Sequence, residues 1–125
     1  HSEGAIEILG PVGYQDLPLV YAGADLYWQP SVREPWGLAV NEAMAAGLPV
    51  LVSNRCGCHE DLVSSGNGWV FEPSSHETIR EGLEKAAADE DRWPAMGKAS
   101  EQIISRWGLD RFSKELIQAV TVALK

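Results

Sequence analysis

Two glutamates with a run of backbone amides between them are the residues whose spacing most clearly indicates chemistry. Glu34 lies in a loop broken by Pro30 and Pro35, and Glu42 follows eight residues later, inside a predicted helix over residues 38 to 46. Because helical side chains lean toward the N-terminus, Glu42 is predicted to reach back over the start of the helix, where Glu34 lies. The two carboxylates and the unpaired amides of a helix N-terminus are therefore expected to lie close together.

Three backbone amides at this helix start are predicted to be free donors, those of Trp36, Gly37 and Leu38. Free N–H groups and the helix dipole favour an anion such as a phosphate, and Gly37 lets the backbone approach it. Carboxylates repel phosphate but suit sugar hydroxyls, so a ribose diol and a hexose ring are both candidate ligands. The dipole contributes about 0.3 to 1 kcal/mol per charge when exposed, whereas micromolar binding needs roughly 8 kcal/mol. The pattern predicts a phosphorylated sugar bound mainly through its hydroxyls and base.

The segment that carries this pattern also resembles a known signature. Residues 34 to 50 read Glu-Pro-Trp-Gly-Leu-Ala-Val-Asn-Glu-Ala-Met-Ala-Ala-Gly-Leu-Pro-Val, which is similar to the E-x7-E motif of retaining nucleotide-sugar glycosyltransferases with the GT-B fold, especially glycosyltransferase family 4. Segments 24 to 26, 30 to 31, 53 to 60 and 66 to 71 resemble the sequences that flank the motif, so the resemblance covers nearly the whole chain. The chain departs from it at Gly57, which is followed by Cys58 where the family commonly has a second glycine.

The resemblance implies a role for each residue of the pattern. Glu34 would be the catalytic residue, contacting the donor hexose near the reacting carbon, and whether it acts as a nucleophile stays open. Glu42 would bind the ribose hydroxyls. The diphosphate and the sugar would be bound by the amides of Trp36, Gly37 and Leu38. Gly10 would lie beside the nucleobase, with an ordinary turn as the alternative. Without the motif, a solvated loop carboxylate and a first-turn glutamate would explain Glu34 and Glu42.

The function implied by the resemblance is the donor-binding part of a retaining glycosyltransferase. Such an enzyme transfers a hexose from a nucleoside-diphosphate sugar to an acceptor sugar, glycan or lipid, with no metal or other cofactor. The isolated chain is expected to be inactive, because in the family the acceptor domain and the basic residues that neutralise the diphosphate lie upstream. Two alternatives remain open: a non-catalytic nucleotide-binding module or remnant, and a nucleotide-sugar epimerase of the same fold.

The predicted elements give an α/β fold with a partial Rossmann-like parallel sheet. About four strands are predicted, at residues 5 to 9, 25 to 28, 50 to 53 and 68 to 72. Helices are predicted at residues 15 to 24 and 38 to 46, on both faces of the sheet, with a helical turn at 60 to 63. Since a full donor domain has about six strands, residues 1 to 125 are expected to be a single truncated domain, the C-terminal half of a GT-B donor domain.

Three amphipathic helices are predicted to end the chain, each with its apolar side in the core. The first has Ser74 and Glu77 at capping-box spacing. The second begins at Asp91 and tolerates Pro94 in its first turn. The third has five apolar residues on one side: Leu109, Phe112, Leu116, Ile117 and Val120.

Composition limits the function classes further. With a net charge of −8, the chain is not expected to bind nucleic acid, because polyanion binding usually shows a basic patch. The sequence contains no run of about 18 apolar residues, so no transmembrane helix is predicted. The first residue is histidine, so the natural start is expected to be absent. A cytoplasmic location is expected, with peripheral association to the inner face of a membrane through the missing domain as the alternative.

Two patterns that suggest metal ligands have simpler interpretations. Cys56 and Cys58 lack a second ligand pair at zinc-site spacing, and reduced structural thiols are the expected form. Asp89-Glu90-Asp91 has the Asp-x-Asp form but lies between two predicted helices, where Asp91 is readily explained as an N-cap. The sequence therefore predicts no metal site.

Overall fold

A computed structural model describes residues 6–125 and has an α/β architecture built on a small parallel sheet. The strands described are β1 Tyr27–Gln29, β2 Val50–Ser53 and β3 Gly68–Phe71. The helices described are α1 Leu17–Ala22, α2 Leu38–Ala45, α3 His59–Leu62, α4 His76–Ala88, α5 Trp93–Ile104 and α6 Leu109–Ala123, with a 3-10 turn at Glu90–Arg92 before α5.

The sheet has the order β1-β2-β3, with Tyr27 beside Val50 and Val50 beside Gly68. The predicted α/β class is confirmed, but the described residues form three strands and not about four. Residues 6 to 9 of the predicted first strand are exposed and unpaired, and Ala5 lies outside the described residues. A strand needs hydrogen-bonding partners along its length, and no described segment pairs with the outer edge of β1.

The central strand β2 explains why helices cover both faces of the sheet. All four of its residues are buried, as expected for a parallel strand covered on both sides. Val50 and Val52 pack on the side of α2, whereas Leu51 packs with Phe71 and with Ala86 of α4 on the other side. The alternation of side chains along one strand therefore assigns α2 and α4 to opposite faces, as predicted.

Two predicted helix starts are displaced by one or two residues. The cap of α4 is Ser75 and not Ser74, because the Ser75 side chain accepts a hydrogen bond from the Thr78 amide at 3.2 Å. Asp91 lies inside the 3-10 turn, and α5 starts at Trp93, so Asp91 is not its cap. Pro94 does lie in the first turn of α5, as predicted.

The last helix, α6, contradicts the prediction that its apolar side belongs to the core. None of its residues is buried, and the side chains of Leu109 and Phe112 are 83% and 63% exposed. An amphipathic pattern shows that a helix has a face suited to packing, but it does not identify the surface that covers this face.

Candidate functional site

The start of α2 is fixed by the backbone conformation of Gly37. Its φ of 99° and ψ of 61° lie in the left-handed region, which glycine adopts far more easily than other residues. Among residues 6–125, no oxygen accepts a hydrogen bond from the amides of Trp36, Gly37 or Leu38. These three amides are therefore unpaired donors at this helix N-terminus. Gly37 itself is buried, whereas the Leu38 side chain is 69% exposed.

Glu34 is held beside this helix start by backbone pairing with the loop after β2. Its amide donates to the Arg55 carbonyl at 3.1 Å, and its carbonyl accepts from the Gly57 amide at 3.0 Å. A Cβ atom on Gly57 would lie 1.9 Å from the Pro35 carbonyl oxygen, so only glycine permits this approach. The Glu34 loop thus occupies the space that a side chain at position 57 would fill. The Glu34 Cγ atom lies 3.5 Å from the position that a Cβ on Gly37 would occupy.

Glu42 forms a hydrogen bond that the sequence did not predict. The Tyr21 hydroxyl of α1 donates to Glu42 Oε2 at 2.9 Å. Burial, followed by this hydrogen bond, raises the pKa of Tyr21 well above its ordinary value. The Tyr21 hydroxyl therefore remains a hydrogen-bond donor well above neutral pH.

Tyr27, at the start of β1, packs against Tyr21, with 6.0 Å between the ring centroids. Its pKa is raised to about 12, first by burial and then by the nearby acidic groups of Cys56, Glu42, Cys58 and Glu34. The Tyr27 hydroxyl therefore keeps its proton well above neutral pH.

The Tyr27 hydroxyl forms a hydrogen bond with Gln29, two residues later on the same face of β1. It donates to Gln29 Oε1, and Gln29 Nε2 donates to Ser31 Oγ at 2.7 Å. This row of polar groups runs along the end of β1 toward the Glu34 loop. A strand's period of two places Tyr27 and Gln29 on one face, and that was the sequence signal that could have identified them.

A cavity of about 430 Å³ lies between α1 and α2, with Glu42 in its wall. Its other lining residues are Tyr14, Leu17, Pro18, Tyr21, Ala22, Ala45 and Ala46. The volume is within the usual range for small-molecule sites, and a mostly apolar wall with a few polar groups is typical of them. Glu42 is the acidic residue of this wall.

Gly10 is not joined to this group by any described contact. It has a φ of 69° and is exposed, and a Cβ atom there would meet nothing within 4 Å. The positive φ accounts for glycine at this position, and its predicted place beside a nucleobase stays a prediction.

The Trp36 side chain does not point toward Glu42. Its Nε1 donates to Asn41 Oδ1 at 2.9 Å, and its ring packs against Trp107 with 5.7 Å between centroids. The Arg111 guanidinium lies 4.1 Å from the centroid of the Trp107 ring. The Trp36 amide therefore belongs to the α2 N-terminus, whereas its indole ring packs against the junction between α5 and α6.

Comparison with known proteins identifies the family to which this helix start belongs. Residues 2–103 match the sequence profile of the family described as Glycosyl transferases group 1. The chain belongs to this family. An uncharacterized glycosyltransferase of Methanocaldococcus jannaschii is 32% identical over 122 residues, which cover 96% of this chain and 31% of that protein. The O-antigen chain mannosyltransferase B of Escherichia coli is 36% identical over 97 residues, covering 78% of this chain and 25% of that protein.

Solved structures place the group 1 glycosyl transferase chain in a known fold. Anabaena HepE in complex with UDP and glucose aligns with a TM-score of 0.76 and 24% identity, covering 96% of this chain and 33% of that one. Sucrose-phosphate synthase from Thermosynechococcus elongatus aligns with a TM-score of 0.77 and 22% identity, covering 95% of this chain and 31% of that one. The fold matches the C-terminal domain of GT-B proteins. The chain spans about a third of the length of these proteins.

The described part of this glycosyl transferase chain contains no group of three or more His, Cys, Asp or Glu side chains placed to hold a metal ion. Cys56 and Cys58 are buried free thiols, and burial raises the pKa of Cys58 to about 11. Asp89 accepts a hydrogen bond from Trp69 Nε1 at 3.3 Å and lies 3.5 Å from the Arg92 guanidinium. These contacts give Asp89 a structural role at the helix junction. No helix within residues 6–125 is long and apolar enough to cross a membrane.

Proposed function

We propose that this chain forms the donor-binding side of a retaining glycosyltransferase, which transfers a hexose from a nucleoside-diphosphate sugar to an acceptor sugar, glycan or lipid. Membership of the group 1 family supports transferase chemistry. The names of two relatives, a mannosyltransferase and the lipopolysaccharide glucosyltransferase WaaG of Escherichia coli, support a hexose as the transferred group. The UDP and glucose held by Anabaena HepE support a nucleotide-linked donor.

The observation that carries the proposal is the start of α2, where three unpaired amides lie between two carboxylates. The amides of Trp36, Gly37 and Leu38 suit the diphosphate, because unpaired N–H groups and the helix dipole both favour an anion. Glu42, in the wall of the cavity between α1 and α2, accepts hydrogen bonds from the ribose hydroxyls. The nucleobase then lies along the apolar wall of the same cavity, on the side of the chain that leads from Gly10 into α1.

Glu34 acts at the other end of the diphosphate, on the hexose. Its carboxylate orients the hexose hydroxyls and stabilises the positive charge that develops at the anomeric carbon. The bond between that carbon and the diphosphate oxygen breaks, and the nucleoside diphosphate leaves with the bonding electrons. The acceptor oxygen forms the new bond on the same face and gives its proton to the departing diphosphate oxygen, so the configuration is retained.

The remaining parts of the reaction lie outside this chain. The acceptor glycan or lipid is bound by a separate domain of a longer cytoplasmic enzyme, and the isolated chain binds donor nucleotide without transferring sugar. The proposed chemistry uses no metal ion, because backbone amides and the helix dipole receive the diphosphate charge. Nucleic acid is not a partner.

An NMR titration of the chain with UDP, GDP and ADP tests the proposal. We expect saturable shifts of the Trp36 to Leu38 amides with one nucleotide, which would also identify the base. Glu42→Gln should weaken that binding about tenfold or more, since a hydrogen bond to a charged group is worth about 1.5 to 3 kcal/mol. Glu34→Gln should leave nucleoside-diphosphate binding within about twofold and reduce transfer in the longer enzyme.

The exposed Glu77 of α4 provides the matched control, because Glu77→Gln removes the same charge far from the α2 N-terminus in the sequence. Equal losses of binding in Glu34→Gln and Glu42→Gln would contradict the division of roles. A dispersed spectrum with no shifts for any of the three nucleotides would overturn the donor site.

A further inference from the structure

The hydrogen bond between Tyr21 and Glu42 joins two helices across 21 positions of sequence. We propose that Tyr21 is a positioning residue for the donor ribose, which fixes the Glu42 carboxylate so that one of its oxygens faces the two ribose hydroxyls. This inference rests on the proposed function, because it concerns how Glu42 performs the role assigned to it there.

The geometry leaves Glu42 able to bind a diol while Tyr21 holds it. Tyr21 donates to Oε2 at 2.9 Å, and a carboxylate has about four acceptor positions on its two oxygens. Oε1 and one lone pair of Oε2 are therefore left for the ribose. Without the tyrosine hydroxyl, the Glu42 side chain would be flexible in the free protein. Ordering it would then cost free energy when the ribose binds, which reduces affinity.

Tyr21 is itself held in place by packing. Its ring lies 6.0 Å from that of Tyr27 at an interplanar angle of 60°, and it packs against the buried cluster that includes Val40 and Met44 of α2. The Tyr27 hydroxyl donates to Gln29 instead. Tyr21 is thus the tyrosine that donates to Glu42.

A comparison of each nucleotide with its 2′,3′-dideoxy counterpart separates positioning from general loosening of the site. Calorimetry with UDP, GDP, ADP and their three dideoxy forms gives, for the nucleotide that binds, the ratio of the two affinities. We expect the wild-type chain to prefer the ribose form at least tenfold. Tyr21→Phe should reduce this preference about fivefold while leaving affinity for the dideoxy form within twofold.

Thr121→Val is the control, because it also removes one hydroxyl group, from the exposed helix α6, where Thr121 Oγ1 donates to the Ile117 carbonyl at 2.8 Å. This variant should leave both affinities unchanged. The double variant Tyr21→Phe/Glu42→Gln should show the same ratio as Glu42→Gln alone, because Tyr21 acts only through Glu42.

The outcomes distinguish this inference from the proposed function. If Tyr21→Phe weakens both forms equally, or neither, while Glu42→Gln still abolishes the preference, Tyr21 does not position Glu42 and the donor site stands. Independent losses in the double variant would also overturn the inference. If Glu42→Gln leaves the wild-type preference intact, or no nucleotide binds, the proposed function fails, and the inference fails with it.

Discussion

Gly37 is the residue on which the geometry of the α2 N-terminus depends. A Cβ atom at this position would meet Cys58 Sγ and Glu34 Cγ at 3.5 Å each, which is ordinary van der Waals contact. Its φ of 99° is instead the constraint, because a left-handed conformation costs other residues roughly 1 to 2 kcal/mol. We therefore expect Gly37→Ala to lower the free energy of unfolding by about 1 to 2 kcal/mol, as measured by urea denaturation.

Gly108→Ala is a suitable control for that experiment. Gly108 has a φ of −91°, and a Cβ there would meet nothing within 4 Å, so its substitution should cost about 0.5 kcal/mol or less. Equal losses in the two variants would show that backbone strain at Gly37 is not the cause.

At the scale of single residues, the sequence predicted positions better than partners. Glu42 lies within α2 as its spacing from Glu34 implied, because a helical turn is local and has a fixed period. Its contact with Tyr21 depends on how α1 packs beside α2, which no local pattern specifies. The close approach of the Pro35 carbonyl to Gly57 could not be predicted from the sequence either, since it is a contact between two loops.

Between elements, the contact of Trp36 with Trp107 links the loop before α2 to the junction of α5 and α6. Aromatic pairs contribute about 0.5 to 1.5 kcal/mol beyond their buried area. Trp107→Ala should therefore loosen the loop of residues 34 to 36. We expect hydrogen exchange of the Gly57 and Cys58 amides, which donate to the Glu34 and Trp36 carbonyls, to accelerate about fivefold or more relative to the β2 amides.

Trp93 provides the comparison, because it is also partly buried and its Nε1 donates to the Ala86 carbonyl at 3.0 Å. Trp93→Ala should leave the ratio between the Gly57 and β2 exchange rates unchanged. The same change of ratio in both variants would mean that the Trp36 loop responds to general destabilisation rather than to its aromatic contact.

The elements themselves were predicted well wherever their sequence pattern and their partners lie in the same chain. Strand β2 has the predicted bounds because four consecutive apolar or small residues are buried on both faces. The strand predicted at residues 6 to 9 and the burial predicted for α6 were wrong for one shared reason, although α6 is a helix as predicted. Each has the pattern of a packed element, but pairing and burial require a neighbour, and the described residues supply none.

For the whole molecule, buried acids in their neutral form link folding to pH. Cys58 is fully buried, and its pKa is raised from 9.0 to about 11, while that of Tyr27 is raised from 10.0 to about 12. In the unfolded chain these groups lose their protons near their ordinary values. Between pH 9 and 12 the folded state therefore binds more protons than the unfolded state, and a rise in pH favours unfolding.

We expect the free energy of unfolding to be independent of these two groups below about pH 8 and to fall progressively between pH 9 and 12. Since one pKa unit corresponds to about 1.4 kcal/mol, Cys58 contributes at most about 2 to 3 kcal/mol to this fall. Urea denaturation at a series of pH values measures it, and Cys58→Ala should reduce the slope between pH 9 and 11 while lowering stability at pH 7. The same slope with and without the Cys58 thiol would show that the thiolate is accommodated in the folded state, and that burial does not hold this proton.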